Sequence, residues 1–147
     1  MRTHRIDWPD IIATRWHREC RRAWPLEAFA YLLGRRAGLA HFVEGIWLPA
    51  DLERFSTPNS LSIPQRWMRE ALEHAEDEGL EVIGDIHSHP YPYSETNGAF
   101  VEAIPSEGDH AQGWHLIAGV TALCETQSGR KLCRTRFYAP ADRIRIT

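Results

Sequence analysis

A short apolar run, EAFAYLLG from Glu27 to Gly34, places the tightest constraint on how this chain folds. The run is too short for a typical helix, and it is followed by a stretch bounded by glycines, residues 34–38. We therefore predict a strand over Glu27 to Gly34. The segment AHFVEGIWL, from Ala40 to Leu48, follows at once and is predicted to be its antiparallel partner.

Two helices are predicted, one on each side of this hairpin in the sequence. Ile12, Trp16 and Cys20 recur every fourth residue and therefore share one helical face, and we expect Asp7 to cap that helix. The second helix is predicted to begin at a capping box and to end at a glycine. Its signals are the cap at Ser62 and Gln65, the apolar face at Trp67, Met68, Leu72 and Ala75, and Gly79.

Further strands are predicted in the second half of the chain. EVIGDI, from Glu81 to Ile86, is a strand that runs directly into His87, and a hairpin across Gln127 to Arg130 joins two more. The predicted strands of that hairpin and of the tail are Trp114–Cys124, Lys131–Tyr138 and an edge strand over Arg143–Thr147. The element order predicts a mixed α/β domain of the α+β type, with a largely antiparallel sheet flanked by two main helices.

Length and charge restrict the class of protein. The 147 residues fit one domain spanning 1–147. A net charge of −3 gives no basic footprint for nucleic acid. No apolar stretch approaches the ~20 residues of a membrane span, and the charged start, Met1 to Asp10, does not resemble a signal peptide. We therefore expect a cytoplasmic protein that binds neither nucleic acid nor membrane.

The three cysteines do not form a disulfide framework of the secreted type or a C-x-x-C metal motif. With a turn at Ser128-Gly129, Cys124 and Cys133 are expected to lie opposite each other in the hairpin, close enough to bridge. In a reducing cytosol we expect these two and Cys20 to be free thiols.

A candidate metal site follows the strand Glu81–Ile86. In extended chain, residues i and i+2 point to the same side, so His87 and His89 can converge on one metal ion while Ser88 points away. Two histidines alone are equally consistent with ordinary loop residues. A hydrolytic zinc needs a third ligand and a general base, for which Asp109 and Glu27 are the candidates, although Glu27 alone would more often be a surface residue at a strand start.

Together these segments resemble the JAMM (MPN-plus, JAB-type) zinc metallopeptidases in their bacterial single-domain form. PLEAFAYLLG, from Pro25, is similar to the family's P-x-E-x-x-G-x-L-L-G stretch, and His87-Ser88-His89-Pro90 with Ser106-x-x-Asp109 is similar to its H-[ST]-H-x7-S-x2-D signature. The resemblance covers nearly the whole chain and implies the cytidine-deaminase-like JAB/MPN architecture.

The resemblance implies a role for each matching residue. Glu27 is expected to be the acid/base, with one zinc per chain on His87, His89 and Asp109. Ser106 is expected to donate a hydrogen bond to the oxyanion. Ser88 is expected to make a hydrogen bond, behind the metal ligands, that steadies the loop.

The sequence departs from the family pattern at two places. Ala30 stands where the family often has glycine. The sixteen residues 90–105, between His89 and Ser106, exceed the seven of the signature, and this segment either lines a substrate groove or is an unrelated excursion.

The resemblance implies a deubiquitinase-like peptidase or isopeptidase that acts at the C-terminus of a ubiquitin-like protein, in a bacterial conjugation or anti-phage system. The alternatives are a non-catalytic MPN scaffold and a zinc amidohydrolase for a small-molecule or sulfur-carrier substrate. The sequence leaves the oligomeric state open.

The first testable prediction concerns the third ligand. Asn97 also stands in an S-x-x-[DN] pattern, after Ser94, but a carboxylate is a better zinc ligand than a neutral amide, and Pro105 precedes Ser106 as in the family. Asp109→Ala should therefore cut zinc affinity sharply, while Asn97→Ala should leave it nearly intact. Metal titration of both variants checks this, and the reverse result would move the site into the tyrosine-rich segment.

Overall fold

Strand pairing organises the chain around the hairpin expected from the sequence. The computed structural model describes residues 2–94, 117–126, 128–139 and 143–147. Its strands are β1 (Thr3–Asp7), β2 (Phe29–Ala37), β3 (Ala40–Trp47), β4 (Glu81–Ser94), β5 (Ile117–Glu125), β6 (Lys131–Tyr138) and β7 (Arg143–Ile146). Its helices are α1 (Asp10–Ala23), a short 3-10 turn (Leu52–Arg54) and α2 (Gln65–Asp77).

The strands of the described residues form a seven-stranded sheet in the order β6-β5-β4-β2-β3-β1-β7. The β2–β3, β2–β4 and β5–β6 pairs are antiparallel, whereas the β4–β5, β1–β3 and β1–β7 pairs are parallel. The prediction of a largely antiparallel sheet is therefore only partly right. Hairpins are visible in the sequence and force antiparallel pairing, but the direction of the other pairs depends on long connections that local patterns do not encode.

The two helices cover opposite faces of the sheet. Alternate residues of β2 point to opposite sides, so Ala30 and Leu32 pack with Trp16 of α1, while Phe29 and Tyr31 pack with Trp67 of α2. Trp16 and Trp67 are completely buried, and each anchors its helix to the sheet. No helix in the described part of the chain is long and apolar enough to cross a membrane.

Glycine is required at one close approach in the central strand that carries the histidines. A Cβ on Gly84 would lie 2.4 Å from the carbonyl oxygen of Ile117 on β5, a separation that side chains do not adopt. Gly79 has φ 70° and ends α2, in agreement with the prediction.

Both helix starts differ from the expectation. The chain from Thr3 to Asp7 is a strand, not a lead-in to a cap, and α1 begins at Asp10 after Pro9. Likewise α2 begins at Gln65 after Pro64, with no side-chain cap from Ser62. Proline suits both junctions because its fixed φ fits a helix start without any capping side chain.

The β5–β6 hairpin has a different register from the one expected. Cys133 pairs with Leu123, and Cys124 pairs with Leu132, so the predicted pairing of the two cysteines is wrong by one residue. The turn closes one residue earlier than assumed, because the Thr126 N–H donates to the Arg130 carbonyl at 2.8 Å. Cys20 and Cys133 are free thiols.

The paired strands β1 and β3 contain a histidine pair, His4 and the buried His41, that predicts acid sensitivity. His41 is 4% exposed, its Nε2 lies 2.8 Å from Nδ1 of His4, and its own Nδ1 has no partner among the described residues. Burial, followed by the charges of His4 and Arg36, lowers the pKa of His41 to about 4. In the unfolded chain this histidine has a pKa of about 6.5, so as the pH falls the unfolded state binds the proton before the folded state does. The contribution of His41 to stability is therefore fully present above pH ~6.5 and is lost as the pH falls toward 4.

We expect the free energy of unfolding to fall by about 2–3 kcal/mol through His41 alone between pH 7 and pH 4.5. His41→Gln should lose that part of the pH dependence, whereas His74→Gln, at an exposed position of α2, should keep it. Urea unfolding at several pH values measures both. An NMR titration of wild-type His41 with a pKa near 6.5 would contradict the prediction even if His41→Gln does not fold.

Candidate metal centre

The antiparallel pairing of β2 and β4 brings three chemically reactive side chains together. Phe29 pairs with His87, and extending that register two residues back from Phe29 and two residues forward from His87 sets Glu27, just before β2, opposite His89. Residues i and i+2 of a strand share a face, which places all three side chains on the side of the sheet that α2 also covers. The site therefore depends on one register and not on a flexible loop.

The three side chains are close enough to share one metal ion. Ligand atoms of Glu27, His87 and His89 all lie within 4.8 Å of one another. The two Nε2 atoms of the histidines are 3.1 Å apart, and their rings are inclined at 60°. Glu27 and His87 are buried at 6% and 8% exposure, and His89 is partly exposed. Two imidazoles and a carboxylate directed at one point form a donor set that fits a divalent metal ion.

The backbone around Glu27 is fixed by the loop that follows β3. The Glu27 N–H donates to the carbonyl of Thr57 at 3.1 Å, and the buried Ser56 hydroxyl donates to the Glu27 carbonyl at 2.7 Å. These bonds hold the residue just before β2 begins, where no ladder partner on the β3 side is available. Nothing in the sequence of the polar loop 51–60 indicated this contact, because serine and threonine are common in any turn.

Ser88 occupies the opposite face of β4 from the histidines. Its side chain is fully buried, and its Oγ accepts the N–H of Ala28 at 2.8 Å. The hydroxyl also lies next to the thiol of Cys20 on α1. Burial, and then the neighbouring Cys133, raise the pKa of the Cys20 thiol far above its usual range, so this cysteine remains protonated and unreactive.

A further buried carboxylate lies on the metal-site face. Asp85 is 3% exposed, precedes His87 by two residues and pairs with Tyr31 across β2 and β4. Burial, together with the negative charge of Asp85, raises the pKa of Tyr31 to about 12. The metal-site face therefore carries a second buried carboxyl group, two residues before His87.

The structure brings together three of the side chains that the sequence singled out, namely Glu27, His87 and His89. Ser106 and Asp109, along with the rival ligand Asn97, lie outside the described residues. Sequence reasoning predicted Cys20 as a core residue of α1 but missed its contact with Ser88, since helical periodicity gives a face and not a partner.

Comparisons with known proteins agree with this architecture. Residues 9–136 match the family described as prokaryotic homologs of the JAB domain. No curated protein matches the chain. The fold is similar to the solution structure of a protein from Desulfitobacterium hafniense, with TM-score 0.60 and 21% identity over 100% of this chain and 93% of that one. It is also similar to one from Salinibacter ruber, with TM-score 0.52 and 19% identity over 99% and 92% of the two chains.

At these identities the two solution structures support the fold alone. The family match extends over most of the sequence and includes Glu27, His87 and His89. The chain belongs to the family of prokaryotic homologs of the JAB domain.

Proposed function

We propose that this protein is a zinc-dependent peptidase or isopeptidase that hydrolyses the peptide or isopeptide bond at the C-terminus of a ubiquitin-like protein. The observation that carries the hydrolase assignment is the convergence of ligand atoms of Glu27, His87 and His89 within 4.8 Å of one another. A non-catalytic scaffold has no need of a buried carboxylate beside two imidazoles, because burying such a group is costly without a purpose for it.

Zinc is the metal that best fits the donors. Neutral imidazole nitrogen and carboxylate oxygen are its ordinary ligands at hydrolytic sites, and a bound zinc lowers the pKa of a coordinated water to ~7 and polarises a carbonyl. His87 and His89 would hold the metal. By the family resemblance, Asp109 would complete the set and Ser106 would donate to the oxyanion.

Glu27 is the residue placed to move protons. Its carboxylate lies next to the histidine nitrogens, so it accepts the proton of a water that attacks the substrate carbonyl there. As the C–N bond breaks, the protonated Glu27 returns that proton to the leaving nitrogen, which departs as a neutral amine. The clamps from Ser56 and Thr57 hold the backbone of Glu27 still during both transfers.

The substrate assignment rests on the family resemblance. JAMM enzymes commonly cleave after a terminal glycine of a ubiquitin-like tail, and in this chain the matching motifs occur in the same order. The competing substrate class is a small amide. Assays on linear fusions and on isopeptide-linked conjugates distinguish this class from a protein tail.

Purified protein should contain about one zinc per chain, because His87 and His89 are already held side by side at alternate positions of β4. His89→Ala should abolish zinc binding, while His74→Ala, an exposed histidine of α2, should retain it. Metal analysis of protein prepared without chelator measures the stoichiometry. Zinc near zero, with hydrolysis unaffected by a chelator, would refute the zinc mechanism.

Glu27→Gln should keep the fold and the zinc while kcat falls about 10²–10⁴-fold, since the amide removes the base and leaves the ligands in place. Glu44→Gln, an exposed glutamate of β3 paired with Arg35, is the control and should retain full activity. The assay follows cleavage of a ubiquitin-like protein fused through its C-terminal glycine to a reporter. Loss of zinc in Glu27→Gln would make Glu27 a ligand instead, and full activity would assign the base to another residue.

A further inference from the structure

The hydrogen bonds of Ser88 connect the two strands of the site beneath the histidines. Ser88 stands between the two histidines on β4 but faces α1, where it is completely buried. Its N–H donates to the Ala28 carbonyl at 3.0 Å, and its Oγ accepts the Ala28 N–H at 2.8 Å. A side-chain oxygen thus takes the place that a backbone carbonyl occupies in a regular antiparallel pair.

The thiol of Cys20 on α1 is a neighbour of the Ser88 hydroxyl. Burial raises the pKa of this thiol, and the hydroxyl partly opposes that shift, as expected for two polar groups that face each other.

The Ala28 peptide is the point at which this arrangement reaches the site. Ala28 directly follows Glu27, and the carbonyl of Glu27 is bonded on its other side to Ser56. If the Ser88 hydroxyl is lost, one of the two hydrogen bonds between Ala28 and β4 is lost, so the start of β2 and the Glu27 carboxylate are held less closely to β4. A misplacement of about 1 Å at a reacting group can cost about 100-fold in rate.

We infer that Ser88, through its two hydrogen bonds with Ala28, is a positioning residue that sets the distance between the Glu27 carboxylate and the two histidines. This role acts on the base through the backbone of Ala28 and leaves the ligands on their own strand unaffected. The inference rests on the proposed function for its catalytic consequence but not for its geometry.

Three variants and a control test the inference. Ser88→Ala removes the hydroxyl, Ser88→Thr restores it, and Cys20→Ala removes the neighbouring thiol. Thr121→Val is the matched control, because Thr121 pairs with Ser88 in the β4–β5 register, is equally buried, and bonds α1 to β5, a strand that is not paired with β2. The measurements are kcat, KM, zinc content, melting temperature and the visible spectrum of the Co²⁺-loaded proteins.

Ser88→Ala should lower kcat about 10–100-fold with little change in KM or in zinc content, as loss of a supporting hydrogen bond does at other metal sites. Ser88→Thr should recover most of kcat, and Cys20→Ala should lower it by less than Ser88→Ala. Thr121→Val should lower the melting temperature and leave kcat unchanged. An active Ser88→Ala with only a lower melting temperature would overturn the inference, and so would loss of its zinc.

The cobalt spectrum separates this inference from the proposed function. If the wild-type protein hydrolyses none of the substrates, the proposed function fails, but the position of Glu27 beside the metal ligands still affects the Co²⁺ spectrum. Ser88→Ala should then shift that spectrum, while Thr121→Val should match the wild type. A Ser88→Ala spectrum identical to that of the wild type would overturn the positioning role whatever the activity.

Discussion

The antiparallel pairing of β2 with β4 is the interaction on which the rest of the molecule depends. It occupies the centre of the sheet, and its register sets Phe29 against His87. Because side chains alternate, that single register directs one set of residues to α2 and the metal site and the other set to α1. A slip by one residue would exchange the histidines for Ile86 and Ser88, and it would expose core residues at the same time. The apolar core therefore protects the geometry of the site.

Strand β4 serves both stability and chemistry, and the two requirements are satisfied on opposite faces. Ile86 and Ser88 are completely buried toward α1, whereas Asp85, His87 and His89 form the polar face. Polar groups are tolerated there because β4 is paired with a strand on each side, so most of its backbone hydrogen bonds are made within the sheet and the side chains must find their own polar partners. A surface loop would present the same ligands with far less precision.

The sequence predicted the parts that depend on local patterns. The β2–β3 hairpin, both helices, the strand leading to His87 and the strand Lys131–Tyr138 follow from periodicity and turn residues, and the structure confirms them. The polar strand β1 was missed because Ile6 is its only completely buried residue. The parallel strand pairs were not predicted, since they depend on tertiary contacts. The predicted hairpin register around Cys133 was wrong, since it depends on one residue of turn length. At the site, residue types and i, i+2 spacing predicted the histidines, but the contacts of Ser56 and Cys20 come from distant segments.

The charge distribution at the site connects folding to metal binding. Glu27 and Asp85 are both nearly excluded from solvent on the same face of the sheet, and burial of two carboxyl groups raises the free energy of the folded state unless they find partners. A divalent cation bound beside them would offset this cost, because its attraction to a carboxylate is strongest where water is excluded. The sheet thus holds its acidic groups in positions that would become more favourable with a bound metal ion. Part of the binding free energy of that ion would then stabilise the fold.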